Sequence, residues 1–335
     1  IVFGLTILLL ASVVAAYTVI ERYLADVAYA EGVSALSKGD LAAAGSDVNR
    51  AILFAPTDRT YQLAAAIGIA QMNKIAADTS LSPSDAQQQF QAALSASIQY
   101  ATQAVNIDGK NYQNWAVLGN VYQTVVPLNL AGAYDKAKDA FQHAIDLNPS
   151  SPTLPYALAQ LEIAQKNYAA AETDLTTAIN LKHDYTQAIF LFSQLEVQQG
   201  KAKEALQAAE AAAVFAPTDP NVLFQLGILR SGNGDTDGAI AALTGAVKAN
   251  PQFANARFFL AVAYATKADY KDALDQLNAV AALSPDNATA VQADIAQLQA
   301  GKNPFPASKL GALGISQAPI QDAQKAPSTA TNPGK

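Results

Sequence analysis

The chain has 335 residues, of which 51% are hydrophobic and 15% are charged, and 21 Lys and Arg against 28 Asp and Glu give a net charge of −7. Such an acidic chain lacks the basic face that neutralises phosphates, which argues against nucleic acid as a partner. The chain contains no cysteine, which excludes disulfides, thiolate metal ligands and a cysteine nucleophile.

The N-terminal segment is uncharged as far as residue 20, and Glu21 is its first charged residue. Its twenty mostly apolar residues, at about 1.5 Å per residue, match a bilayer core of about 30 Å, so a transmembrane helix is predicted over 1–24. A secretory signal is the alternative, because Val14-Ala15-Ala16 before Tyr17 forms an acceptable cleavage site. Because the chain starts with Ile rather than Met, we expect a processed or truncated product.

Paired helices are predicted to follow. The first three pairs occupy 25–58, 59–111 and 112–151. The second pair is the longest, because the polar segment 78–84 forms a loop before its second helix. The third pair carries the clearest motif, made of Trp115, Leu118, Gly119 and Tyr122 on its first helix, Ala137, Phe141 and Ala144 on its second, and Pro149 at its end.

From residue 152 the pattern recurs every 34 residues, over 152–185, 186–219, 220–253 and 254–287. Small residues at matched places allow two antiparallel helices to approach closely, and a closing proline disfavours helix in the residue before it. One helix pair cannot bury its apolar face alone, so neighbouring pairs must stack. The matched small and closing residues include Ala205, Pro217, Gly227, Ala239, Pro251, Ala273 and Pro285.

These motifs resemble the tetratricopeptide repeat (TPR), a 34-residue helix-turn-helix unit with this arrangement of large, small and closing residues. The resemblance implies an all-α, right-handed α-solenoid of about seven repeats over 25–287, preceded by the transmembrane helix. Residues 288–302 are predicted to form a polar capping helix. Residues 303–335, rich in Pro, Ala and Ser, are predicted to be a disordered tail.

A TPR array has a concave face lined by its first helices, and the repeat register assigns aromatic and amide residues to it. Aromatic rings supply apolar area, and amide side chains can bond a peptide backbone or sugar hydroxyls. A groove for a protein or peptide segment, or for a glycan, is therefore predicted. Alternatively, these aromatics pack against the neighbouring repeat. The predicted groove residues are Asn120, Tyr156, Gln160, Phe190, Gln194, Phe224, Gln225 and Phe258.

No catalytic, cofactor or metal site is predicted. His143 and His183 lie forty residues apart, without an adjacent ligand at metal-binding spacing. The glycine-rich segment 227–235 lacks the Lys and Ser/Thr of a phosphate-binding loop. The chain is therefore not expected to be an enzyme.

A second resemblance concerns the segment 111–122, followed by Val126-Pro127-Leu128 and 132–138. These stretches are similar to the C-terminal TPR part of bacterial O-antigen ligase or polymerase-like membrane proteins. The predicted function is a non-catalytic scaffold for protein–protein interaction, anchored in the membrane through 1–20 with its repeats outside the cytoplasm. The alternative is an extracytoplasmic accessory domain of such a glycan-transferring enzyme.

Overall fold

The computed structural model describes residues 2–305, with side chains from Leu10 onward, and within that range the fold consists of fifteen α-helices and one 3-10 turn without any strand. The predicted all-α class is confirmed. In chain order the elements are α1 (Val2–Ser37), α2 (Leu41–Phe54), α3 (Asp58–Ala77), α4 (Pro83–Ile107), α5 (Tyr112–Val125), the 3-10 turn (Val126–Leu128), α6 (Ala133–Leu147), α7 (Thr153–Ala164), α8 (Tyr168–Leu181), α9 (Thr186–Gln198), α10 (Ala202–Phe215), α11 (Pro220–Gly232), α12 (Thr236–Ala249), α13 (Ala254–Thr266), α14 (Tyr270–Ala281) and α15 (Pro285–Gln299).

The helices form two compact units. Unit 1 contains α1–α8 and ends at Leu181, and unit 2 begins at Lys182 and contains α9–α15. In each unit every odd-numbered helix up to α13 packs against the helix that follows it, and α15 packs on α14. Successive pairs also contact each other, through α2 and α3, α4 and α5, and α6 and α7 in unit 1, and through α10 and α11 and α12 and α13 in unit 2. Each unit is therefore a stack of helix pairs, the arrangement of a solenoid.

The small residues of the repeat pattern lie where paired helices meet. Gly227 on α11 faces Leu243 on α12, and a Cβ atom added at residue 227 would lie 2.5 Å from Leu243 Cγ. Only a residue without a side chain permits that approach. The matched alanines of the second helices, namely Ala44, Ala137, Ala171, Ala205, Ala239 and Ala273, are all completely buried, as are Ala144, Ala178, Ala212 and Ala246.

The larger motif residues of α5 also contribute to the packing of this helix pair. Trp115, Leu118 and Tyr122 are half-buried, and Trp115 Nε1 donates a hydrogen bond of 2.9 Å to the carbonyl of Gly109. The indole ring also stacks on His143, with 4.6 Å between ring centroids. His143 is thus a packing partner for Trp115.

The repeat-closing prolines occupy two kinds of position relative to the helices. Pro149, Pro217 and Pro251 each follow directly after the C-cap residue of α6, α10 or α12. Pro285 instead occupies the first position of α15, where its missing N–H is not needed, and Ser284 caps that helix by accepting from the Asn287 amide.

The structure does not support the transmembrane helix predicted over 1–24. In the part of α1 whose side chains are described, the apolar run extends from Leu10 to Ile20, and the charged Glu21 and Arg22 follow it. Among the described residues, no helix combines the length and the apolarity that crossing a membrane requires. The remaining side chains of the predicted segment, those of residues 1–9, lie outside the description. The later part of α1 packs on α2 and buries Ala25 and Ala28.

The C-terminal boundary also differs from the prediction. The tail was predicted to begin at residue 303, yet Phe305 is only 2% exposed and packs edge-on against Phe258, with 5.5 Å between ring centroids. The tail was therefore predicted to begin too early in the chain. Composition alone does not reveal that Phe305 completes the core of the last helix pair. Residues 306–335 lie outside the described residues.

Candidate functional site

A groove with a volume of about 660 Å³ opens in unit 2 between α9, α11 and the start of α13. We call it the unit 2 groove. Its lining combines three phenylalanines with five side-chain amides. The lining residues are Thr186, Gln187, Phe190, Gln194, Ala216, Asp219, Asn221, Val222, Phe224, Gln225, Phe253 and Asn255.

The repeat period explains why amides line this groove. Gln187, Asn221 and Asn255 are separated by 34 residues each, so they occupy the same place on three successive first helices. Other groove residues lie on the same helix faces as these amides, because residues three, four or seven positions apart share one face of a helix. Phe190 and Gln194 join Gln187 on α9 in this way.

Aromatic rings form the apolar part of the lining. Phe190 and Phe224 are half-buried and occupy matched places of neighbouring repeats. Phe224 packs against Phe253, with 4.9 Å between ring centroids, and against Phe259 at 5.7 Å. These contacts fix the position of the Phe224 ring and leave part of it accessible to a ligand.

A hydrogen-bond chain fixes one of the amides. Gln225 is 4% exposed, and its Nε2 donates to the hydroxyl of Ser193 at 3.1 Å. Ser193 in turn donates to the backbone carbonyl of Ala205 at 2.8 Å. The chain links α11, α9 and α10, so it holds the two groove-lining helices in register.

The groove carries little charge. Asp219 is the only ionisable residue among the described residues that line it. Its carboxylate is the N-cap of α11 and accepts hydrogen bonds from the backbone amides of Asn221 and Val222, at 2.8 and 3.3 Å. The described lining includes neither Lys nor Arg. Because an amide side chain both donates and accepts, the lining suits neutral polar groups such as peptide bonds.

The structure brings together four of the eight predicted groove residues, namely Phe190, Gln194, Phe224 and Gln225. The prediction that Phe258 lines the groove is wrong, because Phe258 is 2% exposed and lies in the core between Phe259 and Phe305. It fails as a groove residue because the chain after α15 covers its ring.

The remaining three predicted residues lie in unit 1, on α5 and α7, and do not line the unit 2 groove. Asn120 and Gln160 are exposed, and Gln160 Nε2 donates to the Tyr156 hydroxyl at 3.2 Å. Burial raises the pKa of Tyr156.

The repeat register missed Phe253, which is 7% exposed and immediately precedes α13. It was missed because it lies at a repeat boundary, outside the first-helix places that define the predicted ladder. The only available signal was its position directly before a helix whose first residues face the groove. Thr186, Ala216 and Asp219 were missed for the same reason.

Unit 1 contains a buried polar cluster of a different kind. Glu162 is 1% exposed and accepts hydrogen bonds from Lys138 Nζ at 2.9 Å, from Asn167 Nδ2 at 2.7 Å and from the Tyr134 hydroxyl at 2.9 Å. Burial alone would raise the pKa of Glu162, but these hydrogen bonds outweigh it and hold that pKa below its usual value. Burial, followed by the charge of Glu162, raises the pKa of the nearby Asp174 to about 6.

This cluster joins α6 to α7 and is fully bonded, which indicates a structural role. Within the described residues, no group of three or more His, Asp and Glu side chains is arranged to hold a metal ion.

Two segments of the chain, residues 128–188 and 224–288, match family models described as tetratricopeptide repeat. A curated relative, RNA polymerase II-associated protein 3 of Homo sapiens, is 35% identical over 81 residues, which amount to 24% of this chain and 11% of the human protein. This chain therefore spans about a tenth of the curated relative it matches.

Similar solved structures agree on the fold. Yeast Tom70 matches with a TM-score of 0.54 at 20% identity, over 85% of this chain and 55% of the Tom70 chain. The pilF protein of Pseudomonas aeruginosa matches with a TM-score of 0.51 at 15% identity, over 71% of this chain and 97% of the other. At these identities the likeness concerns the fold alone. Together with the family models, it confirms the resemblance to tetratricopeptide repeats.

Proposed function

We propose that this tetratricopeptide repeat protein is a non-catalytic scaffold whose unit 2 groove binds an extended segment of a partner protein. The observation that carries the proposal is the series of amides at matched places, Gln187, Asn221 and Asn255, beside the partly accessible rings of Phe190 and Phe224. An extended peptide presents backbone N–H and C=O groups at regular intervals, and each amide can bond either group.

The same lining predicts which segments bind. The rings of Phe190 and Phe224 would receive apolar side chains of the ligand. Among the described lining residues the only charge is that of Asp219, which already caps α11, so these residues offer strongly acidic segments no cation to pair with. We therefore expect the groove to bind neutral peptide segments. Their backbone would bond the amides, and their apolar side chains would contact the rings.

Calorimetry or NMR titration of the full chain against a library of extended peptides tests the proposal. The exposed groove amides Gln187 and Asn221 would be changed together to Ala, and Gln207→Ala, an exposed amide on α10 away from the groove, is the matched control. Groove binding predicts a loss of affinity of about tenfold in the double variant, since each lost hydrogen bond contributes about 0.5–1.5 kcal/mol, and little change in the control. The absence of peptide binding, or equal losses in both variants, would overturn the proposal.

A glycan is the alternative ligand, because amides and aromatic rings also bind sugars. Titration of the same variants with bacterial glycans distinguishes a glycan ligand from a peptide ligand. Glycan binding that depends on Gln187 and Asn221, without peptide binding, would favour an accessory domain of an O-antigen ligase-like enzyme. That origin and an extracytoplasmic location stay predictions from the sequence.

A further inference from the structure

The second and third helix pairs of unit 1 are longer than the 34-residue period, and in both the extra residues lie at the turn within the pair. α4 begins fourteen residues before Ser97, whereas α6 begins four residues before Ala137, the matched residue of the next pair. The third pair instead has a longer turn, which continues from the 3-10 turn to Gly132. Turns within successive pairs lie along one rim of a helix stack, and insertions in repeat proteins often form binding surfaces. This rim of unit 1 is therefore a candidate interaction surface.

The longer turn of the third pair exposes two leucines. We call residues 127–131 the leucine loop. Leu128 is 61% exposed and Leu130 is 49% exposed. Both ends of the loop are held, because Val126 is buried in the core of unit 1 and the Ala133 amide donates a hydrogen bond of 3.0 Å to the Leu130 carbonyl. The loop is therefore an apolar projection with a fixed base, and its leucines would lose contact with water in an interface.

A pocket with a volume of about 640 Å³ lies on the same rim, between the start of α2, the end of α3 and the extended first half of α4. We call it the alanine pocket. Small side chains line it from α4, and larger aliphatic side chains line it from α2, α3 and the turn before α4. These residues are Ala92, Ala93 and Ala96, and Leu41, Ile75 and Leu81. A mainly apolar pocket of this size accepts bulky apolar side chains.

The leucine loop and the alanine pocket lie on opposite sides of the second helix pair. The pocket is on the side of the first pair, because Leu41 of α2 lines it. The loop is on the side of the third pair, and Val126 at its base shares a core cluster with Ala93 of α4, which also lines the pocket. The order along the rim is therefore pocket, second pair, loop. A two-fold rotation about an axis through the second pair reverses this order, so the loop of each copy would face the pocket of the other.

The charges of the two surfaces are compatible with such a contact. The leucine loop contains no ionisable residue. Lys74 and Asp78 line the alanine pocket and cancel each other's charge. Asp135 and Lys136, both exposed, follow the loop and likewise supply one charge of each sign. Each surface therefore offers a cation and an anion to its copy, and opposite charges can pair across the two-fold axis.

We propose that the chain forms a two-fold symmetric dimer in which the leucine loop of each copy inserts into the alanine pocket of the other. Transfer of Leu128 and Leu130 out of water drives the association, and the small α4 side chains leave room for them. Because the two contacts are equivalent, the dimer is closed and does not grow into filaments. The association belongs to unit 1 and does not depend on ligand binding in the unit 2 groove.

Sedimentation velocity of the full chain measures its mass in solution. Two loops and two pockets form a small interface, and small interfaces associate weakly, so the measurement covers concentrations of about 1–200 µM. We expect the mass to rise with concentration from that of one 34.9 kDa chain and to level off at that of two. A mass that stays at one chain, or one that grows beyond two chains, would overturn the proposal.

Two variants change the loop and the pocket separately. Replacing Leu128 and Leu130 together by Ser should weaken the dimer by at least about tenfold, because four leucines per dimer no longer leave water. Ala92→Glu places a charge in the pocket and should have a similar effect. All three residues are exposed in the single chain, so both variants should fold. The controls are Leu53→Ser, an exposed leucine at the end of α2, and Thr102→Glu, an exposed position of α4 about 15 Å from residue 92. Each control should change the association by less than about twofold.

An equimolar mixture of the two variants tests the reciprocal exchange. Each variant alone retains no intact pair of loop and pocket. In the mixture, the loop of the Ala92→Glu chain can enter the pocket of the chain that carries the two serines. We therefore expect the mixture to associate more tightly than either variant alone and less tightly than the natural chain. No recovery in the mixture, or losses in the controls equal to those in the loop and pocket variants, would trace the association to another surface and overturn the proposal.

Discussion

Gly119 on α5 lies directly against the ring of Phe141 on α6, so closely that a Cβ atom at residue 119 would be 2.7 Å from the ring carbons Cδ1 and Cε1. Phe141 is completely buried, so its ring cannot move aside without disturbing the core. This contact connects the Leu-Gly motif of the repeat to the aromatic residue of its second helix. It accounts for the requirement for glycine at that place.

Gly119→Ala should therefore destabilise the chain. Overpacking of a filled core costs about 1–3 kcal/mol, which exceeds the gain of about 1 kcal/mol that alanine brings to a helix. Gly45→Ala on α2 is the matched control, because a Cβ atom there would meet no other atom within 4 Å. We expect a lower melting temperature for Gly119→Ala and an equal or higher one for Gly45→Ala. Similar shifts in both variants would contradict this account.

The hydrogen bond from Gln225 to Ser193 predicts how substitutions at these two residues change the free energy of unfolding. Ser193→Ala fits by size, because alanine occupies the matched places 159 and 261. It leaves the buried Gln225 without its acceptor, so we expect a loss of about 1–2 kcal/mol in the free energy of unfolding. Adding Gln225→Leu should recover most of that loss, since leucine stands at the matched place 191 and removes the unpaired amide. Denaturant titration measures both steps, and a double variant no more stable than the single one would argue against the bond.

Asp174 predicts a dependence of stability on pH. Burial and the charge of Glu162 raise its pKa to about 6 in the folded chain, from a usual value of 3.8. The folded state therefore holds this proton more tightly than the unfolded state, so the contribution to stability is fully present below about pH 4 and is lost as the pH rises through about 6. The charges that face Asp174 are those of Glu162, which raises the pKa, and Lys138, which lowers it.

Asp174→Asn should remove this dependence. The variant and the natural chain should be equally stable at pH 4, and the variant should be about 1–2 kcal/mol more stable at pH 7.5, after allowance for the solvent that reaches this half-buried group. Melting curves at several pH values provide the comparison, and an NMR titration of the Asp174 carboxyl group gives its midpoint directly. A midpoint near 4 would rule out the effect.

The burial of Phe305 indicates that the core of unit 2 extends beyond α15. Phe305→Ala should lower the free energy of unfolding by about 3 kcal/mol, because it removes a buried ring from contact with Phe258. Phe215→Ala on α10 is the control, since its ring is 47% exposed and its loss should cost less than about 1 kcal/mol. Equal effects of the two substitutions, measured by chemical denaturation, would show that Phe305 does not stabilise the unit.

The helix pairs and part of the lining of the unit 2 groove could be predicted from the sequence. The 34-residue period identified the small residues that helices need in order to approach, such as Ala205 and Ala239, because residue size and helical spacing are local properties. The same period placed Phe190 and Phe224 at matched points of neighbouring first helices, and both line the groove.

Only the tertiary structure decided which members of a matched series remain accessible. Phe258 has the same repeat place as Phe190 and Phe224, yet Phe305 covers it. A pocket in unit 1 likewise exists only because α1 and α3 bring Arg22 and Arg59 together. The physical reason is that periodicity determines which face of a helix a residue occupies, whereas burial and pocket formation depend on residues distant in the chain.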